Sequence, residues 1–348
     1  MPIFKSTYLE ECAAAIFSAA GAPLDKSQCV AELLVESNLV GHDSHGIIRV
    51  AQYVATIERG EIDPNAEITV ESETDASAVL DGNWGFGQVV MSQAASMAVE
   101  KAARCGVAAL TVRNANHIGR LGSYVEHIAN KGMVGLLFAN MHGSAACVVP
   151  WGGREGRLGT NPLAAGLPRP NADPIVLDMT TSVVAEGKIR VQRNRGTSVP
   201  EGWIIDADGE STTDPAAFYG PPRGGLLPFG GAAGHKGYGL SVLVEILGGA
   251  LSGAGCAGSG SRNGNGVLLL VVDVERFVPI ESYMSEVGQL VEFVKSSPIS
   301  PGYTEICIPG EIESRERAAR NEGFEVDEQT WAEMVACADR LGAELPAP

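Results

Sequence analysis

Helix-forming patterns dominate both ends of this chain, whereas strand and helix patterns alternate through its middle. Residues 7–57 carry apolar side chains at helical spacing with one break near Pro23, and residues 311–321 and 327–341 close the chain as further predicted helices. Between the ends, the sequence predicts strands near residues 78–80, 107–112, 134–139, 174–179 and 267–273, and helices over residues 88–105, 122–131, 183–195 and 237–252.

This distribution predicts an α+β fold with two domains, which a length of 348 residues allows. One domain would be helical and discontinuous, built from residues 1–70 and 290–348. The other would be a central α+β domain with a mixed sheet, formed by residues 71–289. No G-x-G-x-x-G follows the first predicted strand, so a standard Rossmann dinucleotide site is not expected.

The overall composition disfavours several classes of protein. The net charge is −17 and Lys and Arg form no runs, so nucleic acid is not an expected partner. The apolar segments are too short to span a bilayer, and the N-terminus lacks the pattern of a signal peptide, so no membrane partner is expected. The cysteines number seven with no C-x-x-C pair, which favours reduced thiols in a cytoplasmic protein.

The segment richest in side chains that could take part in catalysis is GHDSHG at residues 41–46, followed by Arg49. It combines the hydroxyl of Ser44, the imidazole of His45 and the guanidinium of Arg49. If a helix runs through the segment, His45 and Arg49 share one face. Such a pair suits a site that holds a carboxylate and moves a proton on the neighbouring carbon. The alternative is a capped helix start in which His45 is only packed. A zinc site at His42 and His45 is not predicted, because a third ligand is missing.

A second candidate is NANHIGRLGSY at residues 114–124, which follows a predicted strand and opens a predicted helix. Backbone N–H groups at a helix start bind phosphate, the two glycines allow close approach, and Arg120 adds positive charge. His117 would be a second proton-handling group. A glycine-containing turn without a ligand is the alternative.

Weaker signals lie further along the chain. Lys236 in GHKGYG would hold a phosphate as a point charge, although the segment is not a P-loop and a surface turn is equally compatible with it. Glu311 would accept hydrogen bonds from ribose hydroxyls, or serve only as an acidic residue at a helix start. Asp178 ends a predicted strand, where ligand-facing residues are frequent.

Taken in order, GHDSHGIIR, NANHIGRLGSY, VVPWGGREGRLGTNPLA, LDMTTSVVAEGKI, GHKGYGL and PGEIESR resemble the type-2 malate/L-lactate dehydrogenase family over essentially the whole chain. The resemblance implies a non-Rossmann fold that binds NAD or NADP, with the cofactor and substrate in the central domain. It also implies a homodimer whose sites lie near the subunit boundary, and a small carboxylate as substrate.

The resemblance further implies roles for individual residues. His45 would donate and accept the proton with help from Ser44, Arg49 would bind the substrate carboxylate, and Thr160 would contact the substrate. His117 is the acid/base in the ureidoglycolate branch of the family. The implied cofactor contacts are His117, Ile118, Gly119, Arg120, Leu121, Asn140, Leu177, Asp178, Met179, Lys188, His235, Lys236, Gly310 and Glu311.

Two positions depart from the family pattern. Val40 stands where an Arg is frequent, and Lys188 stands where the cyclic ketimine reductases carry an acidic residue. Lys188 therefore favours hydride transfer between NAD(P) and C2 of a 2-hydroxy or 2-oxo acid of the malate, lactate or sulfolactate type. Ureidoglycolate oxidation, diketo-sugar-acid reduction and cyclic ketimine reduction are the alternatives within the family. A non-catalytic nucleotide-binding protein is the alternative from another class.

Overall fold

A computed structural model of the chain describes residues 2–143, 146–259 and 262–347. Its strands are β1 (Ile3–Phe4), β2 (Thr69–Glu73), β3 (Ser77–Asp81), β4 (Val107–Ala115), β5 (Met133–His142), β6 (Leu163–Leu167), β7 (Ile175–Met179), β8 (Ile204–Ile205), β9 (Ser211–Thr212), β10 (Gly225–Leu226), β11 (Gly264–Asp273) and β12 (Phe324–Glu325).

A seven-stranded mixed sheet organises the middle of the chain, in the order β2-β3-β4-β11-β5-β6-β7. Only β3 and β4 pair in parallel, and the other neighbours in this sheet are antiparallel. The mixed sheet that the sequence predicts is therefore confirmed. Strand β6 was not predicted, because its sequence LAAGL lies within a stretch rich in Gly and Pro and lacks a clear period.

The helices are α1 (Ser6–Ala19), α2 (Leu24–Leu39), α3 (Arg49–Glu58), α4 (Gly87–Cys105), α5 (Leu121–Ala129), α6 (Glu186–Arg195), α7 (Pro215–Tyr219), α8 (Gly234–Val244), α9 (Ile280–Lys295), α10 (Glu311–Arg320) and α11 (Glu328–Leu341). Helix α8 continues as a π-helical segment, Glu245–Ala250. Helix α4 ends where predicted, because Gly106 adopts a left-handed conformation (φ +85°). None of the described helices is long and apolar enough to cross a membrane.

The two faces of the sheet are covered by different helices. Alternate residues of β5 point to opposite faces. Gly135 lies against Ile128 of α5, and a Cβ added there would lie 3.1 Å from that side chain. Asn140, on the opposite face, is covered by the π-helical segment and donates to Glu245. Helix α4 packs against β4 and β11 beside α5.

Both ends of the chain contribute to one apolar core. It is formed by the buried faces of α1, α2, α3 and α11, and strand β1 pairs with β12 beside it. Phe86 and Val89, at the start of α4, also enter this core and join it to the sheet. The helical cluster from both termini is therefore present, whereas the exact domain boundaries at residues 70 and 290 stay a prediction. A separate, smaller core is formed by residues between 147 and 226, around Phe218.

Candidate active site

The GHDSHG segment forms a tight turn rather than a helix. Asp43–His45 is a single 3-10 turn, and α3 begins only at Arg49. The buried side chain of Asn38 fixes the turn, since its Nδ2 donates to Asp43 Oδ1 at 2.7 Å and its Oδ1 accepts from Ile47 N at 2.8 Å. A Cβ on Gly46 would lie only 2.1 Å from Asn38 Oδ1. The prediction that one helix carries His45 and Arg49 is therefore wrong.

The turn nevertheless brings the predicted catalytic residues together. Ser44 Oγ lies 3.1 Å from His45 Nδ1. The His45 ring stacks on the ring of His117, with the centroids 5.5 Å apart and the planes inclined by 22°. His117 Nδ1 in turn lies 2.6 Å from the hydroxyl of Tyr53, which comes from α3. The two candidate histidines are therefore in direct contact, and each also lies beside a hydroxyl group.

Both imidazoles are held in the neutral form. Burial is the largest cause of the low pKa of His45, and Arg49, His42 and Arg120 add repulsion that brings this pKa to about 3. Burial, followed by the charges of Arg49 and His45, also places the pKa of His117 well below its usual value. A neutral imidazole can accept a proton from a hydroxyl group. An anion bound beside Arg49 would stabilise the imidazolium that forms, because its negative charge offsets the repulsion from the guanidinium.

Arg49 lies at the edge of the same turn. Its Nε donates to the backbone carbonyl of Ser44 at 2.7 Å, and its Nη1 donates to Gln52 Oε1 at 2.6 Å. Its Nη2 has no hydrogen-bond partner among the described residues. The guanidinium is therefore oriented by the protein yet keeps donors for an anion, which suits a carboxylate.

These groups face a cavity of about 1470 Å³, bounded by the turn and α3 on one side and by the start of α5, the end of β7 and α6 on the other. The predicted site residues in its wall are Ser44, His45, Arg49, His117, Ile118, Gly119, Arg120, Leu121, Thr160, Asp178, Met179 and Lys188. Arg and Lys outnumber Asp and Glu in this wall, although the chain carries a net charge of −17. The cavity is therefore suited to anionic ligands.

The segment before α5 forms one edge of the cavity. Gly119 is in the left-handed region (φ +75°), a conformation that glycine adopts readily because it has no Cβ. Asp178 Oδ2 accepts a hydrogen bond from Gly122 N at 2.7 Å, so this carboxylate binds the first turn of α5. The buried Arg120 side chain lies 3.5–3.7 Å from Glu126 and Glu36. These carboxylates partly neutralise its positive charge, so Arg120 attracts a phosphate less strongly than the sequence predicts.

Six predicted cofactor contacts lie outside the wall of this cavity: Asn140, Leu177, His235, Lys236, Gly310 and Glu311. Asn140 is fully buried and donates to Glu245 Oε1 at 3.0 Å. Glu311 pairs with Lys295 at 2.7 Å and with Arg169 at 2.8 Å. Partial burial opposes ionisation of Glu311, but hydrogen bonds from Lys295, Ile308 N and Arg169 prevail and lower its pKa to about 2. Their cofactor roles stay predictions.

The cavity also contains residues that the motifs do not single out. Tyr53 lies four residues after Arg49, so helical spacing alone places it on the same face of α3. Glu186 receives hydrogen bonds from Arg190 and Tyr219, both at 2.6 Å. It lies one residue before Gly187, where an added Cβ would lie 3.3 Å from Ser44 Cβ. Glu186 lies within the LDMTTSVVAEGKI segment, but the sequence assigned it no role. Among the described residues, no cluster of three or more His, Cys, Asp or Glu side chains could hold a metal.

A G-x-G-x-x-G pattern occurs late in the chain, and its position between elements excludes a dinucleotide-binding turn. Residues 253–258 have the spacing G-x-G-x-x-G, but they lie between the π-helical segment and β11. A dinucleotide turn requires a strand before it and a helix after it. These glycines therefore do not form a Rossmann site.

The family model described as malate/L-lactate dehydrogenase matches residues 4–335. The chain belongs to this family. Its relatives include dehydrogenases of sulfolactate, malate and lactate, and this family member is accordingly an NAD(P)-dependent oxidoreductase.

Relatives of this family member are named for different substrates. L-sulfolactate dehydrogenase from Methanocaldococcus jannaschii is 38% identical over 93% of each chain. The solved malate dehydrogenase of Entamoeba histolytica has a TM-score of 0.93 at 29% identity and covers 99% of both chains. A Δ1-piperideine-2-carboxylate reductase from Pseudomonas syringae has a TM-score of 0.84 at 30% identity, covering 97% of this chain and 100% of its own. The fold therefore does not by itself select the substrate.

Proposed function

We propose that this family member interconverts a small 2-hydroxy acid and the corresponding 2-oxo acid, of the malate, lactate or sulfolactate type. The observation that carries the proposal is the joint placement of His45 and Arg49 on one cavity, with Ser44 bonded to both through its side chain and its carbonyl. This arrangement places a proton acceptor beside a cation that can hold the acid group.

The protein's own groups account for binding and proton transfer. Arg49 would hold the substrate carboxylate and so orient C2 and its hydroxyl toward the imidazoles. His45 would use Nε2 to take the hydroxyl proton, because its Nδ1 faces Ser44. As the O–H bond breaks, the C–O bond becomes a carbonyl and the hydrogen on C2 leaves with its electron pair. Accepting that hydride is the chemistry that a bound nicotinamide supplies. In the reverse direction, His45 would return the proton.

The cavity fits a dinucleotide as well as a small acid. A volume of about 1470 Å³ exceeds what a drug-sized ligand needs, and its cationic wall suits a pyrophosphate. Residues 118–121, at the start of α5, would hold the nucleotide, and the backbone at Gly119 permits close approach. Either NAD or NADP is the cofactor in this proposal. Arg120 is paired with carboxylates, and Arg157 pairs with Glu155, so neither has a setting that selects a 2′-phosphate.

We also propose a homodimer located in the cytoplasm. Large apolar side chains are exposed along two helices, with Leu243 at 46% and Ile246 at 52% on α8 and its π-helical continuation, and Leu290 at 58% and Phe293 at 77% on α9. Apolar faces of this kind support burial against a second copy. The free state of all seven cysteines agrees with a reducing compartment. Light scattering of the purified protein would give the mass of a dimer, and a monomer would contradict this part of the proposal.

A panel of substrates tests the proposed reaction. Pyruvate, oxaloacetate, sulfopyruvate and Δ1-piperideine-2-carboxylate would each be offered with NADH and with NADPH, and ureidoglycolate with NAD and NADP. We expect turnover of at least one of the three 2-oxo acids at a higher kcat/KM than of the imine. The reason is that Lys188, in the cavity wall, stands where the cyclic ketimine reductases carry an acidic residue. Preferred turnover of the imine or of ureidoglycolate would contradict the proposal. Nucleotide binding without any turnover would favour a non-catalytic protein.

A further inference from the structure

A buried chain of hydrogen bonds leads from α4 through α3 to the second histidine of the site. Gln88 Nε2 donates to the hydroxyl of Tyr53 at 2.7 Å, and this hydroxyl lies 2.6 Å from His117 Nδ1. Gln88 is 1% exposed and Tyr53 is 2% exposed. Because both side chains are almost fully buried, their hydrogen-bonding groups depend mainly on partners within the protein.

The direction of the chain follows from its donors. A Tyr hydroxyl has one proton, and since Gln88 donates to the oxygen, that proton is free to point at His117. Gln88 Oε1 has no hydrogen-bond partner among the described residues. If the amide were turned round, its NH₂ group would take that position and lack an acceptor, and a buried N–H without a partner is tolerated less well than a buried carbonyl oxygen. In this arrangement the hydroxyl of Tyr53 can donate to Nδ1 of His117, 2.6 Å away. A neutral imidazole that accepts at Nδ1 carries its proton on Nε2.

We propose that Tyr53, oriented by Gln88, is a positioning residue that fixes His117 in the Nε2–H tautomer, so that His117 presents a hydrogen-bond donor to the cavity. This inference rests on the proposed function only for its consequence, which is that the donor would contact the substrate oxygen. The two stacked imidazoles would then have complementary roles. His45 would exchange the proton, and His117 would bind the same oxygen as charge develops on it.

The charged and titratable groups that face His117 support this division. His45 stacks on it, Tyr53 bonds to it, and Arg49 repels its charged form. Burial raises the pKa of Tyr53 to about 12, so the phenol keeps its proton at neutral pH. At neutral pH, Tyr53 therefore keeps its hydroxyl proton, and His117 keeps the single proton on its imidazole.

The test combines one substitution with a direct measurement of the tautomer. Nitrogen-15 NMR of histidine-labelled protein should show His117 in the Nε2–H form in the wild type. In Tyr53→Phe, the loss of the hydroxyl beside Nδ1 should produce a mixture of tautomers, and the pKa of His117 should rise because its neutral form is no longer favoured. We expect kcat/KM for the oxo acid to fall about tenfold, as for loss of one hydrogen bond, with nucleotide affinity unchanged.

Tyr8→Phe is the matched control. Tyr8 packs against Phe4 and Trp331 in the helical core, away from the cavity, so its hydroxyl should affect neither the tautomer nor the kinetics. An Nδ1–H signal for His117 in the wild type, which requires no variant, would overturn the proposal. An unaltered tautomer in Tyr53→Phe would overturn it too. If the tautomer shifts but the wild type converts no hydroxy or oxo acid, the positioning role stands and the proposed function fails.

Discussion

The Nε atom of Arg49 donates a hydrogen bond to the backbone carbonyl of Ser44 at 2.7 Å. This contact joins the start of α3 to the turn that carries Ser44 and His45. It means that the proposed carboxylate anchor also holds the proposed proton acceptor in place. A change at Arg49 therefore tests substrate binding and turn geometry together.

Replacing Arg49 with Lys should raise the KM for the oxo acid by about tenfold or more, because an ammonium cannot form the two parallel hydrogen bonds of a guanidinium. Steady-state kinetics with the best substrate of the panel would measure this. Arg340→Lys, in a surface ion pair with Glu58, serves as the matched control and should leave the KM as it is. An unaltered KM in Arg49→Lys would argue against the carboxylate role.

Replacing His45 with Ala should lower kcat by roughly 10²–10⁴-fold if this imidazole transfers the proton. Nucleotide binding, followed by fluorescence titration of the reduced cofactor, should persist. His127→Ala, on the exposed side of α5, is the control and should keep full activity. If His45→Ala turns over normally while His117→Ala does not, the acid/base assignment moves to His117.

The low pKa of His45, about 3, also predicts how stability depends on pH. An unfolded His titrates near 6.5, so below about pH 6.5 the unfolded chain binds a proton that the native site refuses. The free energy of unfolding should therefore fall as the pH drops from about 6.5 toward about 3.

Urea unfolding of the wild type and of His45→Asn at about pH 7 and about pH 5 would measure this dependence. The loss between the two pH values should be smaller in the variant, since it lacks one of the depressed imidazoles. His117 has the same sign of shift and remains in the variant, so part of the loss should persist. Equal losses in the two proteins would contradict a neutral His45 with a depressed pKa.

Replacing Gly46 with Ala should disturb the catalytic turn. The new methyl group would lie 2.1 Å from Asn38 Oδ1, which already accepts from Ile47 N, so the side chain of Asn38 has to move. We expect a loss of stability of about 1–3 kcal/mol, as for overpacking of a buried site, together with a lower kcat. Thermal melts and kinetics would measure both. Full activity at unchanged stability would mean that Asn38 does not hold the turn.

Several parts of the fold follow from local chemistry in the sequence. The end of α4 was predictable because Gly106 tolerates a left-handed conformation that other residues avoid. The strands around residues 107–112 and 134–139 were predictable because continuous apolar runs belong in a buried sheet. Ser44, His45 and Arg49 could be singled out because their functional groups are dense in a short segment, which needs no knowledge of distant contacts.

Other features depended on contacts between distant segments. Helical periodicity suggested a continuous helix through His45 and Arg49, but the side chain of Asn38 supplies competing hydrogen bonds that stabilise a turn. The pairing of His117 with Tyr53 and His45 brings α3 against the start of α5, and no local pattern contains that contact. The sequence by itself determined which chemical groups and which family are present. The tertiary structure decided which of those groups face one cavity and which are neutral there, because burial and neighbouring charges act through space and not along the chain.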